Sequence, residues 1–497
     1  MLFYNPSDQF SSFDMWAIQA ENQWYVYHLQ SVRPDAEDVR PINYGYCISK
    51  DLMNFTYCGE ALRNDEEWEK AIPYAGDVIR RGDKYYMLYS ATSGYSNGDG
   101  IGLAVSDDLV HWEKYADNPV MQFPDERWYE GHIPGSVTGM INLRDVHFIN
   151  DICDDEYVYI CFAAATGNTD AYRSGCIGLA RSRNMTDWEY LPPLYAPHRY
   201  TLMEVPRVFR LGDKYILTWL CAPWYGARTD SDMDCRAQHG GETQIHYAVA
   251  DHPLGPYTLA EQPCMFRGMY SPFVIDPVEQ NGKPYLLSTM FRYHDTPADP
   301  RMHGGLLPAL PLEYREGPVC LFSEELMKYY PSRVSVTGAP MQIPYPQCST
   351  SSGRVSFTDA ALCALPLTQP MMRTVAGMKL HLTKGRAGLL IRYNDNPKSA
   401  FGVLYDRKRN EIEFVRLSGF HKAFNLFTCE RHPAYAACPD EVQLQVIAEK
   451  EHILVFVDGA LRGTYSFPSD KKGSFGLLVE NASGFIALDD WYTSQIQ

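Results

Sequence analysis

Four acidic residues recur at similar distances before four tyrosine-rich segments of the chain. Asp14 and Glu204 each lie eleven residues before a tyrosine of such a segment, Asp145 lies twelve before and Asp77 eight before. Acids in register around one axis would place like charges in one cavity, which drives their pKa values apart. Two carboxyl groups with separated pKa values can cleave a glycosidic bond: one protonates the leaving oxygen, and the other attacks or activates water. Glycoside hydrolysis is therefore the chemistry that these residues indicate.

The four acids differ in how readily a structural role explains them. Glu204 stands between Met203 and Val205, and burial in apolar surroundings would favour its protonated form. Aspartates at strand starts often cap backbone amides instead. That structural alternative applies more strongly to Asp77 and Asp145 than to Glu204.

Five tyrosine-rich segments organise the first two thirds of the chain. They begin roughly 60 to 70 residues apart, each after a polar turn and a shorter apolar strand, at residues 23–30, 83–90, 155–162, 213–219 and 282–288. Short strands repeated at this period are typical of a β-propeller, so five copies predict five blades. The fifth copy has no acid at the equivalent place, only Tyr270 and Ser271. A large sandwich or a β-helix is the alternative.

The repeat ends near Ser323, and a different pattern follows. Residues 324–352 contain four prolines and read as a linker, and short alternating strands begin near Gly353. Their spacing predicts a two-sheet sandwich. The predicted fold is therefore all-β: a five-bladed β-propeller catalytic domain over 1–323, a linker over 324–352, and a C-terminal β-sandwich over 353–497.

Composition limits the partners and the location. The chain carries 61 acidic and 44 basic residues and a net charge of −17, which disfavours nucleic acid and anionic membranes. The N-terminus lacks the basic region and apolar run of a signal peptide, and no apolar run approaches the roughly 18 residues of a membrane span. Thirteen scattered cysteines are expected to be reduced. These features predict a soluble cytoplasmic protein, and they leave its oligomeric state open.

Several short motifs resemble glycoside hydrolase family 32, the family of invertases, levanases and inulinases. The family's nucleophile, RDP and EC motifs resemble stretches 12–16, 143–146 and 203–206, and 401–407 and 452–459 resemble its C-terminal sandwich. The likeness runs in order along nearly the whole chain. The sequence departs from the family in lacking the Asn-Asp-Pro-Asn-Gly loop around Asp14, and Val146 and Val205 replace the proline and the cysteine of two motifs.

The resemblance implies roles for individual residues. Asp14 would be the nucleophile, and Glu204 the general acid and then the general base. Asp145 and Arg144 would hold sugar hydroxyls and stabilise the transition state, and Gln30 would orient the substrate. Further candidates for substrate contacts are Trp16, Asp77 and Arg207. The implied substrate is a disaccharide or an oligosaccharide, and neither a cofactor nor a metal is expected, since the acidic run 230–234 lacks the glycine and glutamate of a calcium loop.

Two other functions fit the same residues. Family 43 arabinofuranosidases and xylosidases share the propeller and a three-acid site but invert the anomeric configuration, and a propeller with eroded motifs could bind carbohydrate without catalysis. A retaining pair needs carboxyl groups about 5–5.5 Å apart and an inverting pair about 6.5–9.5 Å, a difference that sequence does not decide. In each reading, Trp128, His132 and Trp224 are candidates for stacking against sugar rings.

Overall fold

The computed structural model divides the chain into two compact units, Met1–Pro318 and Val319–Gln497. The sequence placed its boundary a few residues later, after residue 323. The structure describes residues 10–32, 41–94, 99–122, 125–130, 142–167, 173–221, 244–267, 269–275, 284–292, 303–307, 309–323, 327–328, 332–333, 347–351, 353–393, 400–420, 423–449, 452–466 and 472–495.

The first unit contains four sheets of four antiparallel strands, each sheet taking its strands in chain order. The first sheet comprises β1 (Phe10–Ala20), β2 (Gln23–Val32), β3 (Pro41–Ser49) and β4 (Thr56–Arg63). The second comprises β5 (Ile72–Arg81), β6 (Lys84–Thr92), β7 (Asp99–Ser106) and β8 (Glu113–Lys114). The third comprises β9 (Leu143–Ile149), β10 (Val158–Ala165), β11 (Gly175–Ser182) and β12 (Trp188–Tyr195). The fourth comprises β13 (Glu204–Leu211), β14 (Lys214–Cys221), β15 (Gln244–Ala250) and β16 (Thr258–Arg267).

A fifth sheet completes the arrangement. Its strands are β17 (Met269–Ile275), β18 (Tyr285–Arg292), β19 (His303–Leu306), β20 (Leu310–Tyr314) and β21 (Pro318–Cys320), with β19 paired to β18 beside the main order β17-β18-β20-β21. The first strands β1, β5, β9, β13 and β17 pack against one another in that order, and β17 closes on β1. The predicted five-bladed β-propeller is thus confirmed.

Apolar and aromatic side chains hold neighbouring blades together. Trp16 and Tyr27 of the first blade share a buried cluster with Tyr89 of the second, and Tyr159 of the third shares one with Trp219 of the fourth. This packing explains the abundance of tyrosine and tryptophan, because each blade has two apolar faces to bury.

A β-bulge interrupts all five inner strands at about the same level. The pairing register shifts between Ser12 and Met15, between Tyr74 and Gly76, between Arg144 and His147, between Glu204 and Arg207, and between Tyr270 and Phe273. A bulge adds an unpaired residue and redirects the side chains around it. Every inner strand therefore has one place where side chains can turn toward the propeller axis.

The second unit forms one large β-sheet of twelve strands. The strands are β22 (Ser332–Arg333), β23 (Cys348–Ser351), β24 (Arg354–Pro366), β25 (Thr374–Tyr393), β26 (Phe401–Asp406), β27 (Glu411–Phe420), β28 (Ala423–Pro433), β29 (Glu441–Glu449), β30 (His452–Val457), β31 (Ala460–Ser466), β32 (Ser474–Ala487) and β33 (Tyr492–Gln495), with a 3-10 turn at Leu488–Asp490. Both β22 and β23 fall inside the predicted 324–352 linker.

The long strand β25 explains why the sandwich region is hydrogen-bonded as a single sheet. Its first half pairs with β29 and β33, and its second half pairs with β26. The register of β25 with β32 shifts between Leu382 and Arg386, where Gly385 has a φ of 79°, a value that glycine adopts readily. Side chains from both halves enter one apolar core. No helix in the described part of the chain has the length and apolarity to span a membrane.

Candidate active site

Three of the predicted acids lie at the bulges of three inner strands. Asp14 lies in the bulge of β1, Asp145 in the bulge of β9, and Glu204 opens β13 immediately before its bulge. All three are buried, with exposed fractions of 5%, 2% and 7%. The similar spacing of these three acids from the tyrosine-rich segments thus corresponds to equivalent places around the propeller axis.

Arg144 connects two of these acids. Its Nη2 donates a hydrogen bond to Oε1 of Glu204 at 3.2 Å, and its Nε lies 3.9 Å from Oδ2 of Asp145. The guanidinium is oriented by Asn142, whose Oδ1 accepts a bond from Nη1 at 2.9 Å, and by the ring of Tyr74, whose centroid is 5.0 Å from the guanidinium carbon. Glu204 thus has a buried cation beside it rather than purely apolar company.

Two neighbouring blades hold the carboxyl group of Asp145. Its Oδ2 accepts a hydrogen bond from the backbone N–H of Val205 at 3.0 Å, and its Oδ1 accepts one from the N–H of Ala75 at 3.3 Å. Burial raises the pKa of Asp145, while the charges of Arg144 and Arg207 and these two hydrogen bonds act in the opposite direction. A carboxyl group held by backbone donors on both oxygens has a defined orientation for binding a hydroxyl.

Ser90 supports Asp145 from the neighbouring blade. The backbone of Asp145 has a φ of 59°, a left-handed conformation that costs energy for a non-glycine residue. Its N–H donates to Oγ of Ser90 at 3.0 Å, and that hydroxyl donates to the carbonyl of Ala75 at 2.8 Å. The hydroxyl of Tyr44 donates to the carbonyl of Ser90. Ser90 thereby links the strained residue of the third blade to the second blade.

Four residues of this network, Ser90, Ala75, Asn142 and Tyr74, were not predicted from the sequence. Ala75 contributes only a backbone N–H, which no residue type reveals, and Ser90 closes a tyrosine-rich segment that reads as a core strand. Asn142 offered the one usable signal, because it is a polar residue between Ile141 and Leu143, two positions before Arg144.

The guanidinium of Arg207 contacts all five blades. Nη1 donates to the carbonyls of Val146 at 3.2 Å and of Pro206 at 3.4 Å, and Nη2 donates to the carbonyls of Met15 and Gly76 at 3.4 Å each. The guanidinium carbon lies 5.9 Å from the ring centroid of Phe273 in the fifth blade. Arg207 is buried, with an exposed fraction of 1%. Two of the carbonyls that it contacts, those of Met15 and Val146, belong to the residues directly after Asp14 and Asp145, so it acts as a buried brace next to the acids. Its contact with substrate stays a prediction.

Asp77 lies apart from the other three acids. It follows the bulge of β5, and its Oδ2 accepts hydrogen bonds from Nδ1 of His147 at 2.7 Å and from the N–H of Phe148 at 3.0 Å. Nε2 of His147 contacts the carbonyl of Val208 at 3.1 Å. The ring of His147 is therefore held between the carboxyl group of Asp77 and a backbone carbonyl of the fourth blade. Asp77 thus forms a buried hydrogen-bonded pair with His147 between the second and third blades, the structural role that the sequence left open.

Trp16 and Gln30 are buried in the first blade. Trp16 is fully buried and stacks on Tyr27, with ring centroids 6.0 Å apart. Gln30 accepts a hydrogen bond from the hydroxyl of Tyr57 at 3.2 Å. Nearby, burial lowers the pKa of His28 to about 4. Both roles assigned to Trp16 and Gln30 at the substrate stay predictions.

The remaining candidates are Trp128, which is 39% exposed, and several residues outside the described ranges. His132, Trp224 and the acidic run 230–234 belong to the latter. Among the residues that the structure describes, no group of three or more His, Cys, Asp or Glu side chains could hold a metal ion.

Residues 17–251 match the family model described as glycosyl hydrolases family 32 N-terminal domain. No curated protein matches the chain in sequence. Among solved structures, a GH32 beta-fructofuranosidase from Bombyx mori is 14% identical, covers 98% of this chain and 91% of its own, and has a TM-score of 0.66. Exo-inulinase from Aspergillus awamori is 12% identical, with coverages of 100% and 98% and a TM-score of 0.69. Fructan 1-exohydrolase IIa from Cichorium intybus is 11% identical, with coverages of 100% and 97% and a TM-score of 0.67.

At these identities the structural matches establish a shared fold over the whole chain. The family match covers the inner-strand bulges of the second, third and fourth blades, including Asp145, Arg144 and Glu204, and it begins three residues after Asp14.

Proposed function

We propose that this chain, a glycoside hydrolase whose residues 17–251 match the family model of the glycosyl hydrolases family 32 N-terminal domain, cleaves β-fructofuranosidic or closely related furanosidic bonds. The observation that carries the proposal is the buried network in which Arg144 lies 3.2 Å from Glu204 and 3.9 Å from Asp145. A sugar entering this network would meet acids and a cation from separate blades at once. The proposed substrate is a disaccharide or an oligosaccharide. The structures of related enzymes include a Bombyx mori variant in complex with sucrose and a Cichorium intybus variant in complex with 1-kestose.

We propose a two-step mechanism with retention of configuration. The carboxylate of Asp14 attacks the anomeric carbon while Glu204 gives its proton to the leaving glycosidic oxygen, so that the carbon–oxygen bond breaks and a glycosyl ester forms. Glu204 then accepts a proton from water, whose oxygen attacks the same carbon and displaces Asp14. One water is consumed, and both acids return to their starting states.

Arg144 and Asp145 would act on the sugar in this mechanism. Asp145 accepts hydrogen bonds from two fixed N–H groups and still offers lone pairs to a sugar hydroxyl. Arg144, next to Glu204, provides positive charge where the general base forms in the second step. Preorganised charges of this kind stabilise a transition state without reorganising during the reaction.

The decisive experiment measures sugar release from sucrose, inulin and levan oligosaccharides and aryl pentofuranosides. We expect fructose to be released, and we expect Glu204→Gln and Asp14→Asn to lower kcat at least about 100-fold, as expected when a general acid or a nucleophile is removed. The matched control is Glu261→Gln, the same change at an exposed residue of the outer strand of the same blade. A loss below about tenfold, equivalent to about 1.4 kcal/mol of barrier, would remove the catalytic role from the residue concerned.

The anomeric form of the first product tests the mechanism separately. Retention observed by NMR supports the covalent step at Asp14, and inversion would replace it with a single displacement by water, as in family 43 enzymes. Release of pentose instead of fructose would move the substrate to that class. Binding of these sugars without hydrolysis would identify a carbohydrate-binding propeller.

The cysteines support the proposed cytoplasmic location. Twelve cysteines in the described ranges are free thiols, as expected for a reducing compartment. Fractionation of cells that express the protein tests this location, and recovery in the extracellular or periplasmic fraction would refute it.

A further inference from the structure

A cavity lies on the propeller axis, at the end away from the candidate active site. It has a volume of about 1080 Å³ and is lined by the later residues of all five inner strands, among them Ile18, Ile79, Phe148, Phe209 and Phe273. The acids of the candidate active site lie at earlier residues of the same strands. The two sites therefore occupy opposite ends of one axis.

Arg207 and the hydrogen-bonded pair of Asp77 and His147 separate the two ends. Arg207 donates to the carbonyls of Met15 and Gly76, which lie immediately beyond the level of the acids. Asp77 and His147 come next along their strands and line the cavity. The cavity is consequently a site of its own rather than a continuation of the candidate active site.

Charged side chains of both signs line the cavity. They are the cations Arg80 and Arg210 and the acids Asp77, Asp151 and Glu313. Arg210 also donates to the carbonyl of Gly212 at 3.2 Å, and Glu313 pairs with Arg315 at 2.9 Å. No excess of positive charge is left to attract a phosphate or a carboxylate, so the lining favours an uncharged ligand.

Two buried polar atoms in the lining complement a hydroxyl group. Gln19 and Trp24 face each other across strands β1 and β2, and both line the cavity. Oε1 of Gln19 and Nε1 of Trp24 are buried and have no hydrogen-bond partner in the part of the chain that the structure describes. Buried polar atoms normally have partners. A hydroxyl can accept from the indole N–H and donate to the amide oxygen at the same time.

Aromatic rings provide the other half of the recognition. Phe209 and Phe273 are partly exposed at the cavity, and Tyr314, with 36% of its surface exposed, lines it as well. Sugars combine apolar C–H faces with hydroxyl groups, so they suit a lining of rings and hydrogen-bonding groups. The volume is sufficient, since ligand pockets usually measure about 300–1,000 Å³. We propose that this cavity is a second, non-catalytic site for a neutral monosaccharide or disaccharide, independent of the bond that the candidate active site cleaves.

Equilibrium dialysis with radiolabelled sucrose tests the proposal. In the Glu204→Gln protein, which prevents hydrolysis, we expect two sucrose molecules bound per chain at saturation. Adding Gln19→Met or Trp24→Phe should weaken one of the two sites about five- to tenfold, the effect of losing one hydrogen bond. Gln23→Met in the same hairpin is the matched control, because Gln23 does not line the cavity, and it should change neither site.

The outcomes separate the two sites. If the candidate active site does not bind sucrose, the Glu204→Gln protein will bind one molecule, and Gln19→Met will weaken that single site. If the Glu204→Gln protein binds one molecule whose affinity is the same with and without Gln19→Met and Trp24→Phe, the cavity holds only water and the proposal is overturned. Two variants of different chemistry keep the test valid if one of them fails to fold.

Discussion

Removing the hydroxyl of Ser90 should damage catalysis out of proportion to stability. The side chain is fully buried, and its Oγ accepts from the N–H of Asp145 at 3.0 Å and donates to the carbonyl of Ala75 at 2.8 Å. Ser90→Ala leaves this donor and this acceptor buried without that partner. Each such loss costs about 1–3 kcal/mol, so we expect the free energy of unfolding to fall by about 2–6 kcal/mol.

The effect on activity follows from the backbone of Asp145. Its left-handed φ of 59° persists only because surrounding contacts enforce it. Without the bond from Ser90 the peptide can relax, and a displacement of about 1 Å in a catalytic site can cost about 100-fold in rate. We therefore expect kcat/KM to fall about 10- to 100-fold on the best substrate of the panel.

Ser106→Ala provides the matched control in the same blade. Ser106 is also buried, and its Oγ accepts from the N–H groups of Leu109 at 2.9 Å and Asp108 at 3.2 Å, but it lies far along the blade from the acids. Denaturant unfolding should show comparable losses of stability for the two variants, and only Ser90→Ala should lose activity. Equal kcat/KM values for Ser90→Ala and Ser106→Ala would refute the positioning role.

Three further predictions concern buried charges. Burial lowers the pKa of His28 to about 4 in the folded state, from about 6.5 in the unfolded chain. The unfolded state therefore binds the proton more readily, and the free energy of unfolding should fall by up to about 3 kcal/mol as the pH drops from 7 to 4. Urea unfolding of His28→Asn should show a weaker pH dependence. Asp77→Leu and His147→Leu should each lower the free energy of unfolding by about 3–5 kcal/mol, and the double variant should lose less than the sum of both. Additive losses measured by urea unfolding would refute the coupling of the two side chains. Arg207→Met should move the acidic limb of the pH–rate profile to higher pH, whereas Arg207→Lys should leave it nearly in place; an unmoved limb in Arg207→Met would contradict an electrostatic role.

The inner strands could be predicted from sequence because their signal is repeated. The spacing to the tyrosine-rich segment is eleven or twelve residues for Asp14, Glu204 and Asp145, and all three lie at a bulge. Asp77 has a spacing of eight, which places it beyond the bulge, where it pairs with His147. This shorter spacing already set Asp77 apart from the other three acids in the sequence. Only the structure shows why, because Asp77 lies after the bulge and not in it.

Contacts between blades could not be predicted in the same way. Arg207 acts through four backbone carbonyls of different blades, and Ala75 acts through its N–H, so neither contact depends on a recognisable pair of side chains. In the C-terminal unit, Gly385 lies in the long strand β25, which pairs with different strands in its two halves. A local pattern of alternating residues does not predict which distant strands will pair. The part of the candidate site that the sequence did not predict is therefore the set of residues, such as Ala75, that hold the acids in position.

The charges around the candidate site bear directly on its chemistry. The candidate site combines three buried carboxyl groups, those of Asp14, Asp145 and Glu204, with two buried guanidinium groups, those of Arg144 and Arg207. Uncompensated charge is costly away from water, so the cluster is balanced when one of the three carboxyl groups carries a proton. A general acid needs that protonation state. The charge of Arg207 lowers the pKa of Asp145, so removing it favours retention of a further proton by the three acids and moves activity to higher pH. Arg207 therefore has two effects: it contacts all five blades, and its charge influences how many protons the buried acids carry.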